Sequence, residues 1–247
     1  IENKKACGVR VVTSPLASCR GTGSETEKPE EIQARYIISN AAARQTFHEL
    51  VGEDILDRSF LKRLGQLEPT PPYCALFLGL DMDLKKMGQA PCLHIHSSTY
   101  DIEEHFKDVA SKMVNENGAD PFFRFQLAPL SDPSSAPAGK TALVIHTIPV
   151  PSRGWENEDW QMKATELMIK RAEKVIPDLS KHIEYQEVWS PATLNRIALT
   201  GPDASIGWAL SPKQVGPRRL AQETPIANLL LSGHWTQPAI GVLSTVI

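Results

Sequence analysis

The sequence predicts an α+β (α/β) fold in which helices flank a β-sheet that is either mixed or antiparallel. Strand-like runs of β-branched and apolar residues are interspersed with amphipathic helical patterns, yet the two do not alternate strictly, as a purely parallel sheet would require. No internal repeat with a period of about 20–50 residues occurs, so the sequence does not indicate a solenoid or a propeller.

The composition is that of an ordinary globular protein: of 247 residues, 41% are hydrophobic and 22% are charged. This length suits one large domain or two smaller ones. The net charge of −3 gives no electrostatic reason to expect a nucleic-acid partner. The sequence has no apolar run of about 18 residues, and its N-terminus lacks the layout of a signal peptide. We therefore expect a cytoplasmic location.

The four cysteines, Cys7, Cys19, Cys74 and Cys92, are scattered without CxxC spacing. This pattern favours neither a zinc site nor a disulfide framework. We expect free, mostly buried thiols in a reducing compartment.

The first fifth of the chain predicts a strand, a loop, a second strand and a helix. Gly8–Thr13 is rich in β-branched residues and predicts a strand. Gly21–Glu31 is polar and charged and contains a proline, which is typical of a surface loop. Ala34–Ser39 predicts the second strand. Apolar residues recur at helical spacing in Asn40–Leu50, where Asn40 suits the N-cap.

Helices and strands follow one another irregularly in the middle of the chain. Ile55–Leu67 is amphipathic and predicts a helix, which the prolines after it end. Apolar stripes predict further helices at Asp101–Val114 and Glu156–Ile176, and Pro191–Leu199 predicts a short one. Ser131–Lys140 is a turn-rich loop. Strands are predicted at Tyr73–Leu80, Pro91–Ser97, Phe122–Leu127, Thr141–Val150 and His182–Val188.

The stretch Asn228–Val242, NLLLSGHWTQPAIGV, is the most informative part of the sequence. Its three leucines suit a short buried strand, which ends at Ser232-Gly233 and reopens into a segment of helical character. Proteins with parallel strands bind anionic ligands outside the carboxyl ends of such strands, where a helix N-terminus offers unpaired N–H groups. Gly233 and Gly241 have no Cβ and would let the backbone approach a cofactor closely.

This stretch resembles the C-terminal flavin-binding motif of phytoene desaturases and carotenoid isomerases, a branch of the FAD-dependent amine-oxidase-like flavoproteins. In that family a strand of the form NLYLxGHWT precedes a turn with proline and glycine and then a helix beneath the flavin. The sequence departs from the pattern at Ala239-Ile240, where the family more often has further glycines. The alternative interpretation is a core strand that ends in a tight turn, with Trp235 buried for packing.

Two more stretches carry the resemblance. ISNAAARQTF, which begins at Ile38, is similar to the segment in which the family's chain passes from the flavin domain into the substrate domain. LAPLSDPSSAPAGKTALVIHTIPVP, which begins at Leu127, is similar to a hairpin of the family's substrate domain. Proline and glycine form turns there, so this second stretch indicates fold more than chemistry.

The resemblance implies a partial Rossmann-like FAD-binding domain formed by residues 1–45 and 218–247, and a substrate-binding domain formed by residues 46–217. It implies an oxidoreductase of carotenoid biosynthesis that removes a hydride from a lipophilic substrate such as a polyene. Family members often work at membranes, which leaves peripheral membrane contact open. The residues implied to contact FAD are Asn40, Gly233, His234, Trp235, Thr236, Gly241 and Val242.

The dinucleotide-binding fingerprint GxGxxG, which places the pyrophosphate at a helix N-terminus, is absent from these residues. The nearest match, Gly21-Thr22-Gly23, lies in a charged loop and is interpreted as a turn. We expect the chain alone to bind FAD weakly or not at all. Because the chain starts at Ile1 and stops at Ile247 in mid-pattern for a helix, we also expect a fragment of a longer protein.

Other chemistries find less support. His94 and His96 lie on one face of a predicted strand, but no third ligand occurs at a telling spacing, so no metal site is predicted. The sequence contains neither a GxSxG nucleophile elbow nor a P-loop. No side chain stands out as a catalytic acid or base.

Two alternatives stay open. A cis–trans isomerase or a saturase that uses reduced flavin would carry the same motifs. A non-catalytic binding module would keep the substrate-domain fold without the cofactor half. The aromatic residues in Phe122–Phe125 and at Trp155, Trp160 and Trp208 either line a tunnel for a polyene or form core.

Overall fold

The computed structural model describes residues 1–11, 29–70, 72, 74–96, 100–101, 103, 123–127, 131–147, 157–198 and 206–241. The chain divides into two compact units. Unit 1 comprises Ile1–Glu68 and Gly207–Ile247, and unit 2 comprises Pro69–Ile206. The predicted domains have the same arrangement, in which one domain is inserted into the sequence of the other. The predicted boundaries lie after residue 45 and before residue 218, whereas the boundaries of the two units lie after residue 68 and before residue 207. The roles assigned to these domains stay predictions.

Unit 1 contains two small sheets. Strand β1 (Gly8–Val11) pairs antiparallel with β2 (Glu30–Gln33). Strand β3 (Ile37–Ser39) pairs parallel with β9 (Leu229–Leu231), although the two are far apart in the sequence. The leucine run of the flavin-like motif therefore forms the predicted strand, and its partner is the strand predicted before Asn40.

The hairpin of β1 and β2 corrects the predicted surface loop at its C-terminal end. Glu31 belongs to β2 and lies opposite Arg10, and the two side chains form an ion pair with an N–O distance of 2.7 Å. Opposite charges directly across two strands stabilise an exposed antiparallel pair, so polar composition alone was a poor guide here. Residues 12–28 lie outside the described part of the chain.

The helical part of unit 1 consists of a π-helical segment (Gln45–Gly52), a 3₁₀ turn (Glu53–Ile55) and helix α1 (Arg58–Gln66). The prediction of Asn40 as an N-cap is wrong, because helical backbone begins only at Ala43. Asn40 instead continues the chain beyond the end of β3, where its side chain takes part in a different contact described below.

Unit 2 is built on a five-stranded sheet. Its strands are β4 (Cys74–Leu80), β5 (Leu93–His96), β6 (Phe123–Gln126), β7 (Thr141–Thr147) and β8 (Ile183–Trp189). They lie in the order β5-β6-β7-β4-β8, and each of these pairings is antiparallel. The five strands predicted for this part of the chain are confirmed, and of the two predicted sheet types the antiparallel one is observed.

Two described α-helices belong to unit 2, namely α2 (Glu158–Ala172) and α3 (Pro191–Ala198). Asn157 caps α2, because its side chain accepts a hydrogen bond from the Asp159 N–H at 2.8 Å. The predicted helix Asp101–Val114 and Trp155 fall on residues that are largely outside the described part of the chain.

One face of the sheet packs with α2 to form the core of unit 2. Every second residue of β4 points into this core, as the period of a strand requires. Burial of a large apolar side chain contributes roughly 1.5–3 kcal/mol to the free energy of folding, so the side chains buried on this face are a major source of the stability of unit 2. The buried cluster includes Leu76, Leu78, Leu80, Phe125, Leu143, Ile145, Met168, Ala172 and Ile176.

The predicted α+β class is confirmed by this combination of helices with an antiparallel sheet. Among the described residues, no helix combines the length and the apolar character needed to cross a bilayer. The three described cysteines are free, and of these only Cys74 is buried, which raises the pKa of its thiol to about 12. The expectation of mostly buried thiols is therefore wrong for Cys92, which is exposed.

Candidate functional site

The parallel pairing of β3 and β9 brings two predicted site segments to one edge. Ser39 lies opposite Leu231 in the register, and the Ser232 N–H donates to the Ser39 carbonyl at 2.9 Å. The next residues, Asn40 and Gly233, therefore leave the carboxyl ends of the two strands side by side. Ligands of proteins with parallel strands bind at this position.

Gly233 and Asn40 are in direct contact. Gly233 has a φ of 93°, a conformation that favours glycine. A Cβ at Gly233 would lie 2.3 Å from Oδ1 of Asn40, which is far closer than two such atoms can approach. The glycine therefore lets the Asn40 amide lie against the main chain at the strand edge.

Several main-chain donors of the turn after Gly233 have no partner among the described residues. The Thr236 N–H and Oγ1 both donate to the Gly233 carbonyl, at 3.2 and 2.8 Å, and close the turn. No hydrogen bond among the described residues uses the N–H of Gly233, His234 or Trp235. Successive free N–H groups in a turn form a concave site for an anion or another strong acceptor.

His234 adds an unpaired polar atom to this turn. Its Nε2 is buried and has no hydrogen-bond partner among the described residues. Burial, and secondly the positive charge of Arg219, lower the pKa of His234, so the ring is neutral at pH 7. The ring packs against Gly207, where a Cβ would lie 2.7 Å from Cδ2. A buried polar atom without a partner costs free energy, which a hydrogen-bonding ligand would recover.

Arg219, which the sequence did not identify, stabilises the turn through hydrogen bonds to its carbonyls. The side chain is fully buried, and its guanidinium donates to the carbonyls of Thr236 at 2.8 Å, Trp208 at 3.1 Å and His234 at 2.6 Å. The sequence gives no signal for this role, because Arg219 follows another arginine, Arg218, and such pairs usually face solvent.

Two tryptophans complete the support. The Trp208 Nε1–H donates to the Trp235 carbonyl at 2.9 Å, and the two rings lie edge to face with centroids 4.8 Å apart. Trp208 is fully buried and Trp235 is 2% exposed. Both indoles are thus core, so Trp235 offers only its main chain to a ligand, and Trp208 does not line a tunnel.

The predicted cofactor contacts are thus brought together only in part. Asn40, Gly233 and His234 meet at the strand edge, whereas the Thr236 side chain is buried and occupied within the turn. Gly241 is exposed with a φ of 95°, and Val242 lies outside the described residues. The segment 232–241 consists of turns rather than the predicted start of a helix. The cofactor role of all seven residues stays a prediction.

A crevice of about 880 Å³ opens in unit 1 beside β3, and Gly233, His234 and Trp235 are not among its lining residues. Asn40 lines it together with residues of β1, β2 and β3. Several apolar side chains of this unit are exposed, among them Ile38 at 67%. The crevice is large enough for a substantial part of a cofactor.

In unit 2, the sheet face opposite the core carries aromatic and basic side chains. Phe77 and Trp189 pack with ring centroids 5.1 Å apart. Arg124 lies opposite His146 in the register of β6 and β7. Burial, and secondly Arg124, lower the pKa of His146 to about 4, so the imidazole is neutral at physiological pH.

The two histidines noted in the sequence lie on β5. The His94 ring stacks on Phe125, with centroids 4.5 Å apart, and its Nε2 lies 2.9 Å from Sγ of Cys92. Nothing is described for the side chain of His96. Among the described side chains, no group of three or more potential ligands is placed to hold a metal ion.

The chain is similar in sequence and in fold to proteins that are named as oxidoreductases. No family model matches the chain. The chain is 27% identical to the zeta-carotene-forming phytoene desaturase of Myxococcus xanthus over 92% of its length, and 25% identical to the 4,4'-diaponeurosporene oxygenase of Staphylococcus haemolyticus over 90%. It covers 43% of each of these two proteins, so it spans less than half the length of the curated relatives it matches.

A solved structure has a similar fold over almost the whole chain. An oxidoreductase from Methanosarcina mazei superimposes with a TM-score of 0.58 over 99% of this chain and 45% of its own, at 15% identity. The predicted resemblance is confirmed: the chain is similar to carotenoid-desaturase-like oxidoreductases at low identity.

Proposed function

We propose, on the premise of this similarity, that the chain supplies part of the flavin contacts and the substrate domain of an FAD-dependent oxidoreductase. The observation that carries the proposal is the strand edge at which Asn40 meets Gly233 beside unused main-chain donors. A structural turn has no need of three N–H groups, and a buried imidazole nitrogen, that no described residue pairs with. A heterocycle rich in hydrogen-bond acceptors would satisfy them.

The residues present fit a flavin. The N–H groups of Gly233, His234 and Trp235 would donate to its carbonyl and ring-nitrogen acceptors, and the Asn40 amide offers both a donor and an acceptor. The imidazole of His234 is neutral, so its Nε2 would form a hydrogen bond that orients the flavin without adding a charge. When bound, FAD supplies the hydride acceptor for the oxidation. Arg219 keeps the turn rigid by tying three of its carbonyls to one guanidinium.

The remaining cofactor contacts must come from residues beyond these 247. A site of this type needs a glycine-rich turn for the pyrophosphate, and the sequence has none. We therefore propose that the chain corresponds to the C-terminal part of a longer flavoprotein, and that it binds FAD weakly by itself.

The substrate surface proposed here is the outer face of the sheet in unit 2. Phe77, Val144 and Trp189 occupy neighbouring positions on it, because Phe77 lies opposite Val144 and Ala75 lies opposite Trp189. These apolar and aromatic side chains, which share the face with Arg124 and His146, would bind a lipophilic chain and exclude water from it. The names of the two relatives point to a carotenoid-like polyene as the substrate class.

The experiment is flavin binding by the full-length gene product. We expect yellow protein with flavin absorbance, and we expect Gly233→Ala to lower FAD affinity by at least about tenfold, or about 1.4 kcal/mol. Gly52→Ala is the matched control, because Gly52 has a φ of 89° but nothing within 4 Å of a built Cβ. Both substitutions place an alanine at a φ near 90°, and they differ in that the new Cβ meets Asn40 only at position 233.

Colourless full-length protein that ignores added FAD would exclude the flavoenzyme and favour the non-catalytic module. Equal FAD affinity of the Gly233→Ala and Gly52→Ala proteins would leave the enzyme standing but remove this strand edge from its cofactor site.

A further inference from the structure

A thiol and an imidazole form a close pair at the edge of the sheet in unit 2. Cys92 is exposed and immediately precedes the edge strand β5. Its Sγ lies 2.9 Å from Nε2 of His94 and 3.3 Å from the carbonyl of Ala90. A nucleophile within hydrogen-bond reach of a base is the arrangement by which proteins activate a cysteine.

Both members of the pair are held in place by β6 and the residue after it. The imidazole of His94 stacks on Phe125, which is fully buried, with an angle of 12° between the rings. The Cys92 carbonyl accepts the N–H of Leu127, another fully buried residue, at 2.9 Å. The thiol and the imidazole are therefore both positioned by contacts to fully buried residues.

The other described cysteines lack this combination. Cys74 is buried, and its raised pKa keeps the thiol protonated. The Cys7 thiol lies 3.9 Å from a carboxylate oxygen of Glu2 and 3.5 Å from the Lys5 carbonyl, and no imidazole is described beside it. A metal site is less favoured, because zinc takes three or four protein ligands and the described side chains offer no such group here.

We propose that Cys92 is a thiol-modification site that exchanges with low-molecular-weight disulfides, with His94 as the acceptor of its proton. The Cys92 sulfur attacks one sulfur of the disulfide, so a new S–S bond forms as the old one breaks. The displaced sulfur leaves as a thiolate and takes up the proton that His94 had accepted. The product is a mixed disulfide on Cys92 and one free small thiol, and the disulfide itself is the oxidant.

We expect Cys92 to react about tenfold faster than Cys7.

The test is incubation of the 247-residue chain with oxidised glutathione at pH 7, with the mixed disulfide on each cysteine-containing peptide followed by mass spectrometry. The modification rate of Cys92 should exceed that of Cys7. Two variants remove the base: His94→Gln keeps a polar side chain, and His94→Phe keeps a ring that can stack on Phe125. Both should lower the Cys92 rate about tenfold and leave the Cys7 rate unchanged.

A Cys92 rate no higher than that of Cys7 in the unaltered chain would overturn the proposal, and this measurement needs no variant. So would an unchanged Cys92 rate in folded His94→Gln and His94→Phe proteins, with folding checked by circular dichroism. Neither result depends on flavin binding.

Discussion

At the scale of single residues, the hydrogen bonds of Arg219 explain how the turn after β9 is stabilised. A buried guanidinium is tolerated only when its donors are satisfied, and here three main-chain carbonyls accept from it. Those carbonyls belong to Trp208, His234 and Thr236, so one side chain fixes both the tryptophan pair and the candidate cofactor turn.

We predict that Arg219→Met lowers the free energy of unfolding by at least about 3 kcal/mol, because it removes the donors of two buried carbonyls and one partly buried carbonyl, and an unsatisfied buried acceptor costs about 1–3 kcal/mol. The exposed neighbour Arg218 gives the matched control, and Arg218→Met should cost less than about 0.5 kcal/mol. Guanidinium unfolding followed by tryptophan fluorescence measures both. Similar losses for the two variants would refute the role assigned to Arg219.

His146 makes a pH-dependent contribution to stability. Burial first, and the nearby Arg124 second, lower its pKa from the ordinary 6.5 to about 4. Between pH 4 and pH 6.5 the unfolded chain binds a proton at His146 that the folded chain does not. The free energy of unfolding is therefore not reduced by this residue above about pH 6.5, and it falls as the pH drops toward 4.

We predict that His146→Gln flattens this dependence. Because the imidazole is partly solvated, His146 should account for about 1–2 kcal/mol of the decrease in the free energy of unfolding between pH 7 and pH 4, after allowance for screening. Urea unfolding of both proteins across this range gives the difference in slope. Arg124→Gln removes only the smaller cause and should keep most of the slope. A slope in His146→Gln equal to that of the unaltered chain would contradict this account.

At the scale of elements, the trileucine strand shows how a pattern and a structure diverge. The run suggested a buried strand, and Leu229 and Leu231 are indeed 6% and 3% exposed, but Leu230 between them is only half-buried. Successive side chains of a strand point to opposite faces, and the described residues of unit 1 bury the face of β9 that carries Leu229 and Leu231 more fully than the face of Leu230.

We predict that Leu231→Ala lowers the free energy of unfolding by about 2–4 kcal/mol, as truncation of a buried leucine does. Leu230→Ala, one position away on the other face, should cost about 1 kcal/mol or less. Denaturant unfolding of the two variants gives the comparison. If Leu230→Ala costs as much as Leu231→Ala, the exposed face of this strand is covered by residues outside the described ones.

Most elements of unit 2 were predictable because each has a local cause. Alternating or β-branched runs predicted the five strands, and an apolar stripe predicted α2, whose cap at Asn157 only the structure revealed. The π-helical turn of Gln45–Gly52 and the short strand β2 were not predictable, because long-range pairing and packing rather than local preference decide such segments.

At the scale of the whole molecule, the chain consists of one unit that is continuous in sequence and one that is not. Unit 2 has its own sheet, helix and buried cluster within Pro69–Ile206. Unit 1 needs its two segments brought together, because β3 and β9 come from opposite ends of the chain.

We predict that residues 69–206 expressed alone fold cooperatively. A core with at least 13 buried residues suffices for an independent domain of this size, and the antiparallel sheet needs no strand from unit 1. Circular dichroism and a single cooperative thermal transition test this. The excised segment 1–68, which lacks the partner of β3, is the contrasting case and should show no such transition. Absence of a transition in residues 69–206 would show that the division into units is not a division in stability.

The sequence by itself determined the α+β class, the positions of most strands and helices, and the motifs that link the chain to carotenoid-desaturase-like oxidoreductases. These follow from local periodicity, turn residues and short motifs, which neighbouring residues along the chain suffice to define. Only the tertiary structure decided that Asn40 lies against Gly233, that Arg219 supports the turn, and that Trp235 is core. Contacts between distant residues depend on strand register and burial, and no local pattern in the chain encodes them.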